Sequence, residues 1–121
     1  MRRYKVPVTT AADGSATAYS PRVAGKIHSI HYVKTDFADG VDLTITSEAT
    51  GESILAKSDV NASAVFYPRA ATHGQDGAAA LYAAGGVGVL DKIAIASDRV
   101  KIVVAAGGNA KAGTFHVLVD E

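Results

Sequence analysis

Histidines are the first residues to consider for chemistry, because an imidazole can bind a metal ion or transfer a proton near neutral pH. The chain has four, at His28, His31, His73 and His116. On a regular strand His28 and His31 point to opposite faces, because side chains alternate with a period of two. They therefore do not form a same-face metal-binding pair, unless a bulge between them changes the alternation. We interpret all four as surface or structural histidines and expect no bound metal.

Three acidic residues surround a glycine in the segment TDFADGVD, at Asp36, Asp39 and Asp42. Carboxylates grouped in a loop could bind calcium. However, these three lack the alternate ligand spacing and the closing glutamate of an EF-hand loop. Asp39 and Gly40 form a pair that is typical of turns. We expect a structural turn here and no calcium site.

Glycine pairs occur at Gly85-Gly86 and Gly107-Gly108. Neither is followed by the Lys-Ser/Thr ending of a phosphate-binding loop, and neither fits a dinucleotide-binding fingerprint. The G-x-S-x-G motif of hydrolases is also absent from the chain. No group of residues supports catalysis, so we expect a protein that is not an enzyme and uses no cofactor.

The segment from Phe66 to His73 combines two aromatic residues, a proline, an arginine and a histidine. Tyrosine and arginine are enriched among the residues that contribute most to protein–protein binding. We therefore take Tyr67, Arg69, His73 and the later Tyr82 as candidate subunit-contact residues. The alternative is that Phe66 belongs to the core and the others cover a sheet edge.

A second candidate contact segment lies at the start of the chain, where Arg2, Arg3 and Tyr4 are followed by Lys5. We expect residues 1–5 to form an N-terminal arm, and take Arg2, Arg3 and Tyr4 as further candidate contacts. Over the whole chain twelve basic residues balance twelve acidic ones. This neutrality argues against a general nucleic-acid binder, which needs a positive field to bind phosphates.

Composition predicts a small soluble protein with a modest core. The 121 residues suit a single domain. Much of the hydrophobic content is alanine, which fills a core poorly, so we expect a homo-oligomer, a dimer or trimer, in which subunits stabilise one another. Cysteine is absent, which excludes disulfides. No apolar run is long enough for a secretory signal or a membrane span, so we expect synthesis without export and no membrane partner.

Short runs rich in Val, Ile and Thr alternate with turn residues and predict an all-β fold. We expect an antiparallel, jelly-roll-like β-sandwich, with a β-barrel as the alternative. Pro7 places the first run at a sheet edge. A change of alternation between Ile27 and Ile30 predicts a bulge near His28, or a strand covered on both faces.

Two further local predictions concern the second half of the chain. Ser97, Asp98 and Arg99 should form a turn that separates a strand at 92–96 from one at 100–104. Residues 77–84 are rich in alanine, so we expect one short helix there, capped by Asp76 and ended by Gly85-Gly86.

Longer stretches of the sequence resemble small structural proteins of tailed-phage and prophage virions. The stretches are YSPRVAGKIHSIHYV, GVDLTITSEATGESIL, NASAVFYPRAATHG, DGAAALYAAGG, DKIAIASDRVKIVVAAGG and KAGTFHVLV, and the resemblance extends from about Tyr4 to Val119. Proteins of this kind are similar to capsid decoration, or cement, proteins. The resemblance implies a virion protein that binds the major capsid protein on the shell exterior after synthesis in the host cytoplasm. It carries over no binding residues.

Two other functions stay open. A head-completion or tail component would fit the same virion context. A carbohydrate-binding β-sandwich module belongs to a different class, and it is disfavoured because the chain has no tryptophan to stack on sugar rings.

Overall fold

A computed structural model describes every residue from Met1 to Glu121 and contains eight β-strands and no helix. The strands are β1 Arg2–Thr9, β2 Ala16–Lys34, β3 Val41–Ser47, β4 Ser53–Val60, β5 Ala64–Phe66, β6 Arg69–Ala71, β7 Leu90–Ala105 and β8 Ala112–Asp120. All pairings are antiparallel, in the order β1-β8-β2-β7-β3-β4, with β5 beside β2 and β6 beside β7. The all-β antiparallel prediction is confirmed. No helix suited to crossing a membrane is present.

The longest strand, β2, changes its neighbour part-way along. Its first part, from Ala16 to Ile27, pairs with β7, and its second part, from Lys26 to Lys34, pairs with β8. The pairing with β8 shifts by one residue at His28, which has no partner between Ile27 and Ser29. This shift is a β-bulge, and it confirms the prediction made from the changed alternation.

Gly25 lies in β2 beside this change of neighbour and has a φ of +130°. A Cβ atom at this position would lie 2.7 Å from the backbone oxygen of Asp120 in β8. Residues with a side chain rarely adopt such a φ, and a Cβ–oxygen distance of 2.7 Å is shorter than van der Waals contact. The chain therefore needs glycine where β2 passes from β7 to β8.

The core is one cluster of 20 buried hydrophobic residues drawn from β1, β2, β3, β4, β7 and β8 and from Phe37. Tyr32 stacks between Phe37 and Phe115, with ring centroids 6.1 Å and 5.3 Å away. Gly113 in β8 makes room for this stack, because a Cβ there would lie 2.5 Å from the ring of Phe37.

The short helix predicted at residues 77–84 is wrong. A helix needs bonds from each N–H to the carbonyl four residues earlier, but the amide of Ala80 bonds to Thr72 and the amide of Tyr82 bonds to Val87. Asp76, the expected cap, accepts a hydrogen bond from the amide of Ala78 in a turn. An eight-residue helix is unstable in water on its own, and the longer-range backbone bonds prevail.

Two other local expectations also differ from the structure. Ser97, with a φ of 49°, is a bulge inside the continuous strand β7 rather than a turn between two strands. Residues Arg2–Lys5, expected as an arm, form the first half of β1 and pair with β8. Pro7 does lie in an edge strand, since β1 has a neighbour on one side only.

Candidate subunit-contact surface

The segment Arg69–Lys92, which we call the flap, projects from the sheet and holds its own hydrogen bonds. Its ends pair as β6 with the start of β7. Between these ends, backbone bonds join Thr72 to Val89 at 2.7 Å, Ala80 to Thr72 at 2.7 Å and Val89 to Ala80 at 3.1 Å. The hydroxyl of Thr72 also donates to the carbonyl of Val89. The glycines around these residues supply the turns that return the chain on itself.

The flap exposes large hydrophobic side chains. No core residue lies between Val60 and Ile93. Six of the nine exposed large hydrophobic residues of the chain lie between positions 65 and 90, and four of them form what we call the flap surface: Leu81, Tyr82, Val87 and Leu90. Tyr82 and Val87 are 79% and 77% exposed, and a backbone bond of 3.2 Å joins them. Exposed hydrophobic patches often mark binding surfaces, so we take these four residues as a candidate contact surface.

A second group, the Tyr67 cluster of His28, Tyr67 and Arg69, attaches the base of the flap to β2. The Tyr67 and His28 rings meet edge to face at 6.1 Å, and the Arg69 guanidinium lies 6.0 Å from the Tyr67 ring centre. Arg69 also donates hydrogen bonds to the carbonyls of His28 at 3.0 Å and Pro68 at 2.7 Å. Tyr67 is still 59% exposed, so one side of its ring packs and the other faces solvent.

The structure brings some predicted contact residues together and separates others. Tyr67 and Arg69 touch, and His73 and Tyr82 lie further out on the flap, where both are exposed. His73 forms an isolated bridge with Ala79. Tyr82 makes no aromatic contact with Tyr67, so the structure brings together only Tyr67 and Arg69 of these four residues.

The N-terminal candidates lie at the opposite edge of the sheet. Arg2 forms an ion pair with Glu121 at 3.3 Å, and the Tyr4 hydroxyl donates to the same carboxylate at 3.3 Å. The hydrogen bond with Tyr4, followed by the charge of Glu121, raises the pKa of Arg2. Since β8 and β2 separate β1 from β5, roughly 14 Å lies between these residues and the strand before the flap. They are therefore not in contact with the flap.

The acidic loop is occupied by structural contacts. Asp36 accepts a hydrogen bond from the amide of Ala112, Asp39 pairs with Lys34, and Asp42 accepts from the amide of Asp59 at 3.1 Å. The three carboxylates thus point to different partners. No group of three or more His, Asp or Glu side chains in the chain is placed to hold a metal ion.

Sequence reasoning did not identify Val87 and Leu90 of the flap surface as contact residues. The composition could have indicated their exposure. Residues 74–88 are largely alanine and glycine, so a large side chain in this segment has few neighbours that could bury it.

Comparison with known proteins adds no relative. The sequence matches no protein-family model, no curated protein and no solved structure.

Proposed function

We propose that this chain is a non-enzymatic virion structural protein, a capsid decoration or cement protein that binds and stabilises the major capsid shell. The observation that carries the proposal is the flap surface: a projecting segment with no core residue that exposes Leu81, Tyr82, Val87 and Leu90. The virion context comes from the sequence resemblance. The flap supplies a means of attachment to a neighbouring subunit.

The energetics favour a protein partner over solvent for this surface. Full burial of a side chain of this size contributes about 1.5–3 kcal/mol. Four such residues give enough to offset much of the association cost, which is about 4–15 kcal/mol. An isolated two-stranded segment such as the flap is only marginally stable in water. A partner that covers the flap would therefore also stabilise its structure.

We further propose that the sheet is a jelly-roll sandwich in which β2 belongs to both layers. One layer is β1-β8-β2-β5, built on the second half of β2. The other is β2-β7-β3-β4, built on the first half. The pairings support this division, and the bulge at His28 and the glycine at position 25 provide the corner at which a strand changes layer.

The jelly roll supports the capsid proposal only by analogy, because virus capsid and lectin domains share this architecture. A carbohydrate-binding module therefore stays the alternative from another class, and glycan-array binding would favour it. A head-completion or tail component is the alternative within the virion. On the leading proposal the protein works on the capsid exterior as a dimer or trimer, without nucleic-acid or membrane partners.

Quantitative mass spectrometry of purified virions tests this function directly. A decoration protein is present in hundreds of copies, whereas a connector ring contributes about six or twelve. Absence of the chain from virions contradicts the proposal, and a count near a single ring replaces decoration with head completion.

Self-association is tested with Tyr67→Ala, Arg69→Ala and Tyr82→Ala. Each should weaken the oligomer by about 1–3 kcal/mol if its side chain is an anchor at the contact, as measured by light scattering across a concentration series. Tyr19→Ala is the matched control, since Tyr19 is also exposed but stacks on Arg99 away from the flap. A wild-type monomer at every concentration would remove self-association and leave capsid subunits as the partner.

A further inference from the structure

The outer face of β1, β8 and β2 carries a row of basic side chains that only the three-dimensional pairing brings together. Lys5 in β1 lies opposite His116 in β8, and His116 lies opposite His31 in β2. Arg3 lies on the same face, opposite Leu118. Directly opposite residues in antiparallel strands have Cβ atoms about 5 Å apart. Two imidazoles, a guanidinium and an ammonium group therefore share one small area.

Three of these side chains, Arg3, His31 and His116, line a depression of about 300 Å³ together with Val33 and Leu118. Lys5 is outside the lining but lies opposite His116. The lining contains basic and apolar groups and no carboxylate. Its volume suits a small ligand or one extended side chain, at the low end of binding pockets in proteins.

The basic groups of the row are free, in contrast to those around it. Neither Arg3 nor Lys5 forms an ion pair, whereas Arg2 pairs with Glu121, Lys26 with Asp91 and Lys92 with Asp120. Seven of the twelve Lys and Arg residues form no ion pair, and Arg3 and Lys5 are the two of these that lie beside His31 and His116. Uncompensated positive charge beside apolar walls favours an anion.

The surroundings of His116 combine positive charge with a buried nitrogen that has no hydrogen-bond partner. Desolvation, followed by the charges of Arg3, Lys5 and His31, lowers the pKa of His116. Its Nδ1 atom is buried without a hydrogen-bond partner, so protonation leaves an N–H with no acceptor. The nearest acid on this face of β8, Asp120, lies four residues away and is held by Lys92 at 2.7 Å, and β5 contributes only Val65 opposite His31.

We propose that this depression is an oxyanion-binding site, in which Arg3, with Lys5 beside the depression, binds a phosphate-like or carboxylate group. The rings of His31 and His116 line the site, and His116 strengthens the binding when it is protonated. Guanidinium groups bind the paired oxygens of both kinds of anion. A metal cation is disfavoured, because the two permanent positive charges repel it. The inference concerns a different face from the flap and stands without the proposed function.

Ring signals of the histidines in nitrogen–proton NMR spectra provide the test, with sodium sulfate as the first probe at constant ionic strength. Sulfate keeps its charge across the useful range, so any pH effect comes from the protein. We expect saturable shifts of the His31 and His116 signals at about pH 5, and binding weaker by about fivefold or more at about pH 8.

Two lysine variants separate the site from general charge attraction. Lys5→Gln should weaken sulfate binding by about threefold or more. Lys57→Gln should leave it unchanged, although Lys57 is also exposed and unpaired on an edge strand, β4. Equal effects of both variants, tighter binding at higher pH, or the absence of any saturable shift would overturn the proposal.

Acetylated triglutamate is the second probe and identifies the source of the anion. Tighter binding of the peptide than of sulfate supports an acidic segment of a protein as the ligand. Tighter binding of sulfate supports a small tetrahedral anion. Failure of both probes rejects the site and leaves the decoration proposal untouched, because neither probe touches the flap.

Discussion

Strand β8 and the flap are both extended segments with antiparallel partners, yet they treat large hydrophobic side chains in opposite ways. In β8, Phe115, Val117 and Val119 are fully buried. On the flap, Tyr82 and Val87 are more than three-quarters exposed. β8 has a neighbour on each edge and the core on one face, whereas the flap is paired with the sheet only at its ends.

The difference separates residues that stabilise the fold from exposed residues that the proposed function assigns to binding. The residues of β8 stabilise the fold through contacts that are complete within one chain. The residues of the flap surface leave contacts unmade, and a covering partner would complete them. Segments with few buried apolar contacts are the ones that open at low free-energy cost, so the flap is free to adjust to such a partner.

Truncation of one side chain in each region should give the largest contrast. Phe115→Ala removes a ring stacked on Tyr32 and should lower the free energy of unfolding by about 3–5 kcal/mol. Leu81→Ala removes an exposed side chain and should change it by less than about 0.5 kcal/mol. Urea denaturation followed by circular dichroism measures both. A comparable loss for Leu81→Ala would mean that the flap packs on its own sheet in solution.

The corner of β2 should give a smaller effect. Gly25→Ala forces a side chain into a φ of +130° and against the backbone oxygen of Asp120, and we expect a loss of about 2–3 kcal/mol. Gly51→Ala is the control, because its φ is +72° and its Cβ would meet no atom within 4 Å. That variant should lose only about 1 kcal/mol. Equal losses of stability in the two variants would mean that the positive φ alone causes them and that the close contact with β8 contributes nothing.

Regular alternation made parts of this fold readable from sequence. Val41, Leu43 and Ile45 alternate with polar residues, the pattern of a strand with one buried face, and they form β3. The bulge at His28 was also predictable, because inward-facing residues on either side of it have opposite parity. Both features depend on local spacing and a single buried face, which are properties of the sequence itself.

Non-local hydrogen bonds decided the features that sequence reasoning missed. Residues 77–84 carry local helix preference, but Ala80 and Tyr82 bond to partners five to eight residues away in the chain. The candidate contacts Tyr67 and Arg69 do lie together, since they are close in sequence. His31 and His116 lie opposite each other only because β8 pairs with β2, and no local pattern specifies that pairing.

The smallest predicted effect is a pH dependence of stability that arises from His116, on the outer face of β8. Desolvation first, and then Arg3, Lys5 and His31, hold the pKa of His116 below its usual 6.5. In the unfolded chain the ring therefore takes up a proton at higher pH than in the folded protein. The resulting stability is fully present above about pH 6.5 and is lost as the pH falls through the lower folded pKa.

The melting temperature of the wild type should consequently fall between neutral pH and about pH 5, and His116→Gln should reduce the size of that fall. A separate decline should begin only below about pH 4.5, since hydrogen bonds from Ser15, Arg99 and Lys92 lower the pKa values of Asp13, Glu48 and Asp120. His73→Gln is the matched control, because His73 is exposed on the flap, and its loss should leave the upper decline intact. Identical plots of melting temperature against pH for wild type and His116→Gln would show that the basic row does not lower the pKa of His116.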